Sequence, residues 1–259
     1  MTLKHPLSFQ LYSARMFPPA EAQFATLARL GYSNIETFGP FYEDVAQTRR
    51  LMDKHGLACF SGHYSVDMIE KHPDKVLALA RALGNEIIVA PYLQPQERPT
   101  DTAGYKALGA RLSKAASWFG KHSLRFAWHN HDFEFFKLPD GSFPIEHILV
   151  GDVLWENDIA WIRRAKANPL IWIKRYAGRT PLVHVKDIAP AGERADEDGW
   201  ADVGAGVVPW AELWPLCVAA GAEIMVAEHD KPSDFSRFAS VTAKAMRSYA
   251  KLKPVKGAR

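Results

Sequence analysis

Four side chains in the second half of the chain have the types and spacing to surround one cation: Glu134, Asp158, His184 and Glu228. Three carboxylates and one imidazole make a hard, oxygen-rich donor set, suited to Mn²⁺, Mg²⁺ or Co²⁺, with Zn²⁺ also within its range. Each lies at or after the end of a short apolar run. Residues 124–127 lead into Trp128-His129-Asn130-His131-Asp132-Phe133-Glu134, and residues 154–158, 181–187 and 224–230 repeat the design. A strand that is apolar along its length and polar at its C-terminal end resembles one stave of an α/β barrel, where chemistry sits at the C-terminal mouth. Any one of these groups alone reads more plainly as a helix cap or an ion-pair partner. Four in successive strands point to a shared site.

Further candidates surround them. Strand alternation places His184 and Lys186 on one face and Val183 and Val185 on the other. Lys186 then reaches a substrate oxygen or pairs with a carboxylate. Asp158 depends on register, because a one-residue slip turns Glu156 and Asp158 away and Asn157 inward. His129 and His131 share a face and His63 ends the third strand; each reads as a ligand, a substrate contact or a satisfied core histidine. His122, His147 and His229 carry no assignment. Trp128, Trp155, Trp161, Trp200 and Trp210 fall around the expected mouth, where aromatic walls favour sugar rings, though half or more of them read equally well as core.

The elements that must position these groups alternate from one end to the other. Strands are expected over residues 7–12, 34–38, 57–61, 86–92, 124–129, 153–158, 181–185 and 223–227. Helices are expected after Pro18-Pro19 up to Gly31, and over 42–55, 68–83, 102–119, 144–150, 161–176, 211–220 and 235–252, with Pro169 kinking or splitting its helix. A hairpin-like excursion passes through residues 139–142. Residues 189–207 form a long, charged, Gly-rich loop, a candidate lid or active-site loop. Eight β-α alternations without a linker predict a single-domain (β/α)8 TIM barrel over residues 1–259; a doubly wound open sheet shares the same periodicity.

Composition narrows the function classes. A hydrophobic fraction of 47%, a charged fraction of 24% and a net charge of +3 describe an ordinary globular enzyme and give no basic face for nucleic acid. The basic tail, residues 251–259, reads as a solvated terminus. Cys59 and Cys217 form no CxxC pair, so a disulfide framework is not expected and a reducing, cytoplasmic setting is. No h-region and no apolar run near ~20 residues suggests a membrane segment. GxGxxG, GxxxxGK[ST] and GxSxG are missing, and Gly204-Ala-Gly206 is too little for a phosphate cradle. A small-molecule sugar is the expected partner, without nucleic acid or membrane, and a homo-oligomer is left open.

The chain resembles the xylose isomerase-like TIM barrels described as sugar phosphate isomerases/epimerases, the superfamily that includes AP endonuclease family 2. Gln10-Leu-Tyr-Ser13 resembles that family's opening strand, and Gly31-Tyr32 with Ile35-Glu36 its second. Residues 128–135 resemble the fifth-strand signature of one branch. Leu182-Val-His-Val-Lys-Asp187, and Asp202-Val-Gly-Ala-Gly-Val207 with Trp210, resemble the seventh strand and its loop. The resemblance implies one divalent metal ion held by Glu, Asp, His and Glu from strands five to eight. Asp158, His184 and Glu228 carry over directly. In strand five the family position is occupied by His129, so either Glu134 swings back or His129 or His131 replaces the ligand.

The activity implied is isomerisation or epimerisation of a ketose or keto-sugar through an enediolate. Glu134 and Glu228 would move protons, and Glu36, His63, His129, His131, Trp161 and Lys186 would contact substrate. Rival readings are a lyase or hydrolase-like activity on 3-keto-glycosides or inosose-type substrates, an AP-endonuclease-like nuclease, and a non-catalytic carbohydrate-binding barrel.

Overall fold

In the computed structural model, residues 3–252 are described, and the basic tail from residue 253 onward lies outside them. Among the described residues eight parallel strands pair in sequence order. They are β1 (His5–Gln10), β2 (Asn34–Thr37), β3 (Ala58–His63), β4 (Ile87–Ala90), β5 (Arg125–His129), β6 (Leu154–Asp158), β7 (Leu182–Val185) and β10 (Ile224–Ala227), and β10 returns to β1 to close the barrel. The closure decides between the two architectures that share this periodicity. A ribbon of two short strands, β8 (Asp187–Ile188) and β9 (Trp200–Ala201), pairs antiparallel beside the mouth, inside the long loop after β7.

Alternation along each strand sorts side chains into two environments. Phe9, Ile35, Ile88, Phe126, Trp128, Trp155, Val183, Val185 and Met225 face outward and pack under the helices. Ile87, Val89, Ala127, Leu182, Ile224 and Val226 face inward and fill the lower barrel, with Phe60 and Leu154 against them. Above this apolar layer the inward positions turn polar. Gln10 on β1, Glu36 on β2, His129 on β5, Glu156 and Asp158 on β6 and His184 on β7 are all buried. A register shift between Asn34/Ala58 and Glu36/Ser61 interrupts the β2–β3 pairing. That irregularity lets Phe60 join the apolar layer while Ser61 hydrogen-bonds Glu36 above it.

Local signals explain most helix boundaries. Asp44, Ser65, Asp101, Asn168 and Asp234 each accept a backbone N–H as N-caps. Two expected helices differ from the sequence reading. The one expected over 68–83 is two, Val66–Lys71 and Pro73–Leu83, because Pro73 disfavours helical backbone at His72 and starts its own helix at N1. The one expected over 161–176 starts earlier and divides as Ile159–Arg164 and Pro169–Arg175, with the break before Pro169 where it was expected. No helix of the described residues is long and apolar enough to cross a membrane. Cys59 and Cys217 are both buried free thiols.

Candidate metal centre

The polar layer is held in place from below and behind. Asn130, at the turn after β5, accepts Trp155 Nε1 at 2.8 Å and the Asp158 N–H at 3.0 Å, and its Nδ2 donates to Asp158 O at 3.1 Å. One amide therefore fixes the end of β6 against the end of β5. Asp158 Oδ1 caps the helix that follows by accepting the Trp161 N–H at 3.0 Å. The second oxygen, Oδ2, is turned to the site, 3.1 Å from Lys186 Nζ.

At the mouth, one donor atom each from His129, Asp158, His184 and Glu228 lies within 4.8 Å of the others, and all four residues are buried. His184 Nδ1 is 2.8 Å from Glu228 Oε2. Lys186 has no exposed surface and places its ammonium among Glu228 Oε2 at 2.9 Å, Asp230 Oδ1 at 3.0 Å and Asp158 Oδ2. Trp161 and Trp200 pack over the same ammonium, with centroids at 5.3 and 4.8 Å. Burial opposes a charged lysine, but Asp158, Asp230 and Glu228 outweigh it and hold the ammonium protonated. Burial likewise raises Glu228, yet Lys186 and His184 keep its carboxyl well below the usual range. His129, desolvated and close to His184, is held well below the usual histidine pKa and stays neutral.

One pleat further into the barrel lies a second group. His63 Nε2 is 2.7 Å from Glu156 Oε2 and 3.0 Å from Glu36 Oε2, and His184 Nε2 is 2.9 Å from Glu36 Oε2 and 3.2 Å from Glu156 Oε2. His129 Nδ1 approaches the same Glu156 oxygen at 3.2 Å. Gln10 Nε2 donates to Glu36 at 2.6 Å. Burial lowers His63, but Glu36 and Glu156 raise it further, to about 10. Burial raises Glu36, yet His63 and His184 hold it well below the usual carboxylate range.

The structure gathers most of the residues that sequence reasoning selected. Asp158, His184 and Glu228 meet at the mouth with His129, and Glu36 and His63 join them from β2 and β3. His131 and Trp161 line the cleft. Lys186 takes the second of its two expected roles and pairs with carboxylates.

Glu134 corrects the expectation. Its carboxylate accepts Trp128 Nε1 and the His131 N–H, each at 2.9 Å. Trp128 alternates with His129 and so faces the helices, which keeps Glu134 behind the barrel wall rather than in its mouth. Buried there with no cation beside it among the described residues, its carboxyl is pushed up to about 8. The tryptophans divide in the same way. Trp128, Trp155 and Trp210 are core, donating to Glu134, Asn130 and Lys186 O, while Trp161 and Trp200 face the cleft. Two participants carried no role in the sequence reading. Glu156 shares the Asp158 face by simple alternation, a signal available in the sequence. Asp230 lies two residues beyond Glu228.

The mouth opens into a cleft of about 950 Å³, walled by Tyr12, Phe38, Tyr64, Tyr92, Trp161 and Trp200. Asp187 ties down the loop on one side of it. Its carboxylate accepts the N–H groups of Ile188, Gly204 and Val208 at 2.9 Å and of Gly206 at 3.2 Å, clasping the β8–β9 loop that carries Trp200.

No protein-family model and no curated protein matches the chain. Solved structures do. A sugar phosphate isomerase/epimerase from Parabacteroides distasonis has a TM-score of 0.78 at 19% identity, over 96% of either chain. The probable 3-DHS dehydratase AsbF of Bacillus anthracis has a TM-score of 0.73 at 12% identity, over 95% of this chain and 99% of that one. A xylose isomerase-like TIM barrel protein from Mycobacterium smegmatis, solved in complex with magnesium, has a TM-score of 0.72 at 15% identity, over 97% and 98%. At such identities the likeness is one of fold: this chain is built on the barrel that these proteins share.

Proposed function

We propose that the chain is a divalent-metal-dependent sugar isomerase acting on a ketose or keto-sugar through an enediolate. The observation that carries this is the convergence of His129, Asp158, His184 and Glu228 donor atoms within 4.8 Å, at a barrel mouth open to an aromatic cleft. The donor set fits a dication. Two imidazoles and two carboxylates are offered, and His129 Nδ1 is buried without a hydrogen-bond partner. The magnesium-bound barrel of the same fold supports the reading. When bound, such an ion polarises a carbonyl and acidifies the neighbouring C–H.

The protein's own groups account for the remaining work. Lys186 and His184 both contact Glu228 on Oε2, and among the described residues no hydrogen bond reaches Oε1. Glu228 is thereby kept ionised, with one oxygen free to take a proton from the substrate carbon. Lys186 is surrounded by three carboxylates, so it positions them rather than reacting. His131, its ring 4.7 Å from Tyr92 and 5.0 Å from Trp161, is held neutral by burial and by Lys186. A neutral imidazole can pass a proton between adjacent sugar oxygens. The aromatic wall receives the apolar face of a sugar ring.

With Glu134 behind the wall, Glu228 is left as the base of the pair expected from the sequence. A single base returns the proton to the adjacent carbon from the same face, which is isomerisation. Incubating the protein with a panel of ketoses and keto-sugars in D₂O with Mn²⁺, Co²⁺ or Mg²⁺ tests this by NMR. Deuterium should enter beside the carbonyl, and Glu228→Gln should slow exchange by ~10²–10⁴-fold. Loss of water in place of isomerisation would move the reading to a lyase. No exchange with any metal would overturn it.

A further inference from the structure

The deeper group forms a closed ring of alternating atoms: Glu36 Oε2, His63 Nε2, Glu156 Oε2 and His184 Nε2, with edges of 3.0, 2.7, 3.2 and 2.9 Å. We propose that this ring is a second dication site, distinct from the one at the mouth and joined to it through His184.

Three observations support it. The first is dimensional. Edges of ~3 Å are the separations between adjacent ligands held ~2.1 Å from a zinc-sized dication. The second is the environment. Glu36, Glu156 and His184 have no exposed surface, and among the described residues neither carboxylate has a lysine or arginine in ion-pair range. The two carboxylates are balanced by the imidazoles alone, whose protons a dication would displace on taking their nitrogens as ligands. The third is the donor left over. Glu156 Oε1 is buried without a hydrogen-bond partner, and His129 Nδ1, close to the opposite oxygen, is likewise unpaired. His129 Nδ1 belongs to the mouth set, so Glu156 Oε1 is the spare donor of the deeper ring.

His184 presents Nδ1 to Glu228 at the mouth and Nε2 to Glu36 and Glu156 below. Holding a dication at each nitrogen would make His184 a bridging imidazolate, its last ring proton released to solvent on binding. The mixed nitrogen-oxygen set of the deeper ring favours Zn²⁺, Co²⁺ or Mn²⁺ over Mg²⁺. The inference rests on the metal reading of the mouth only in sharing His184, so the two can be tested apart.

The full-length protein, stripped with chelator and dialysed, is titrated with Co²⁺. Bound metal is read by elemental analysis and by the cobalt absorption spectrum, with circular dichroism as the check of fold. About two equivalents should bind. Glu156→Gln and, independently, Glu36→Gln should each lower this to about one, and Asp158→Asn should remove the other equivalent while keeping the deeper one. A single equivalent, lost in Asp158→Asn but unaffected in folded Glu36→Gln and Glu156→Gln, would overturn the second site and leave the mouth reading standing. A single equivalent lost only in Glu36→Gln and Glu156→Gln would keep the deeper site and overturn the mouth. No bound cobalt would overturn both.

Discussion

Glu228 Oε2 lies 2.9 Å from Lys186 Nζ, and the lysine has no exposed surface. A buried ammonium facing Glu228, Asp158 and Asp230 neutralises part of the charge that would otherwise oppose folding. Lys186→Met should therefore destabilise the metal-free protein by about 3–5 kcal/mol, the usual penalty for stranding a buried ionic partner. Added Mn²⁺ or Co²⁺ should restore part of the loss. Thermal melts of the chelated and metal-loaded variant check both statements, and an unchanged melting temperature in chelator would show that the carboxylates do not depend on the lysine.

Glu134 predicts a pH dependence of stability that is independent of the metal site. Its carboxyl titrates at about 8 when folded against an ordinary 4.5, because burial penalises the ion. A folded-state pKa above the unfolded one means that its contribution is fully present below about pH 4.5 and is lost as pH rises toward 8. Glu134→Gln cannot ionise, so chemical denaturation of the variant should show a flatter stability profile across that window. The size of the difference follows from proton affinity, since each tenfold change in it is worth ~1.4 kcal/mol. Metal content of the variant should match the parent protein; loss of metal in a folded Glu134→Gln would return this residue to the ligand set.

Gly206 has no room for a side chain. A Cβ there would meet Asp187 Oδ1 at 2.2 Å and Ile188 O at 2.3 Å, inside the clasp that carries Trp200 to the cleft. Gly206→Ala should loosen the β8–β9 loop, raise KM for the sugar more than it lowers kcat, and leave metal binding in place. Steady-state kinetics beside elemental analysis separate these effects. Unaltered kinetics would mean that the clasp does not shape the cleft.

Much of this was legible in the sequence. The alternation of apolar runs and amphipathic segments specified the eight strands in order, and the period of two placed His184 with Lys186 and Asp158 with Glu156 on inward faces. What sequence spacing could not say was on which side of a strand a later loop residue comes to rest. Glu134 is only five residues past His129, yet the turn at Asn130 carries it behind the wall to Trp128. The break at His72 was signalled by Pro73 and concealed by the apolar periodicity running through it. The register shift in β3, which brings Ser61 to Glu36, depends on strand pairing that no local pattern encodes.

His184 touches every part of the site, with Nδ1 on Glu228 and Nε2 on Glu36 and Glu156. The most direct test of a metal-centred barrel is therefore the divalent metal content of the purified protein and of His184→Ala, each after incubation with Mn²⁺ or Co²⁺ and desalting. Stoichiometric metal is expected in the parent protein, and its loss in a variant that remains folded. A parent protein that retains no metal, or a folded His184→Ala that retains all of it, would contradict a metal centre built on this histidine.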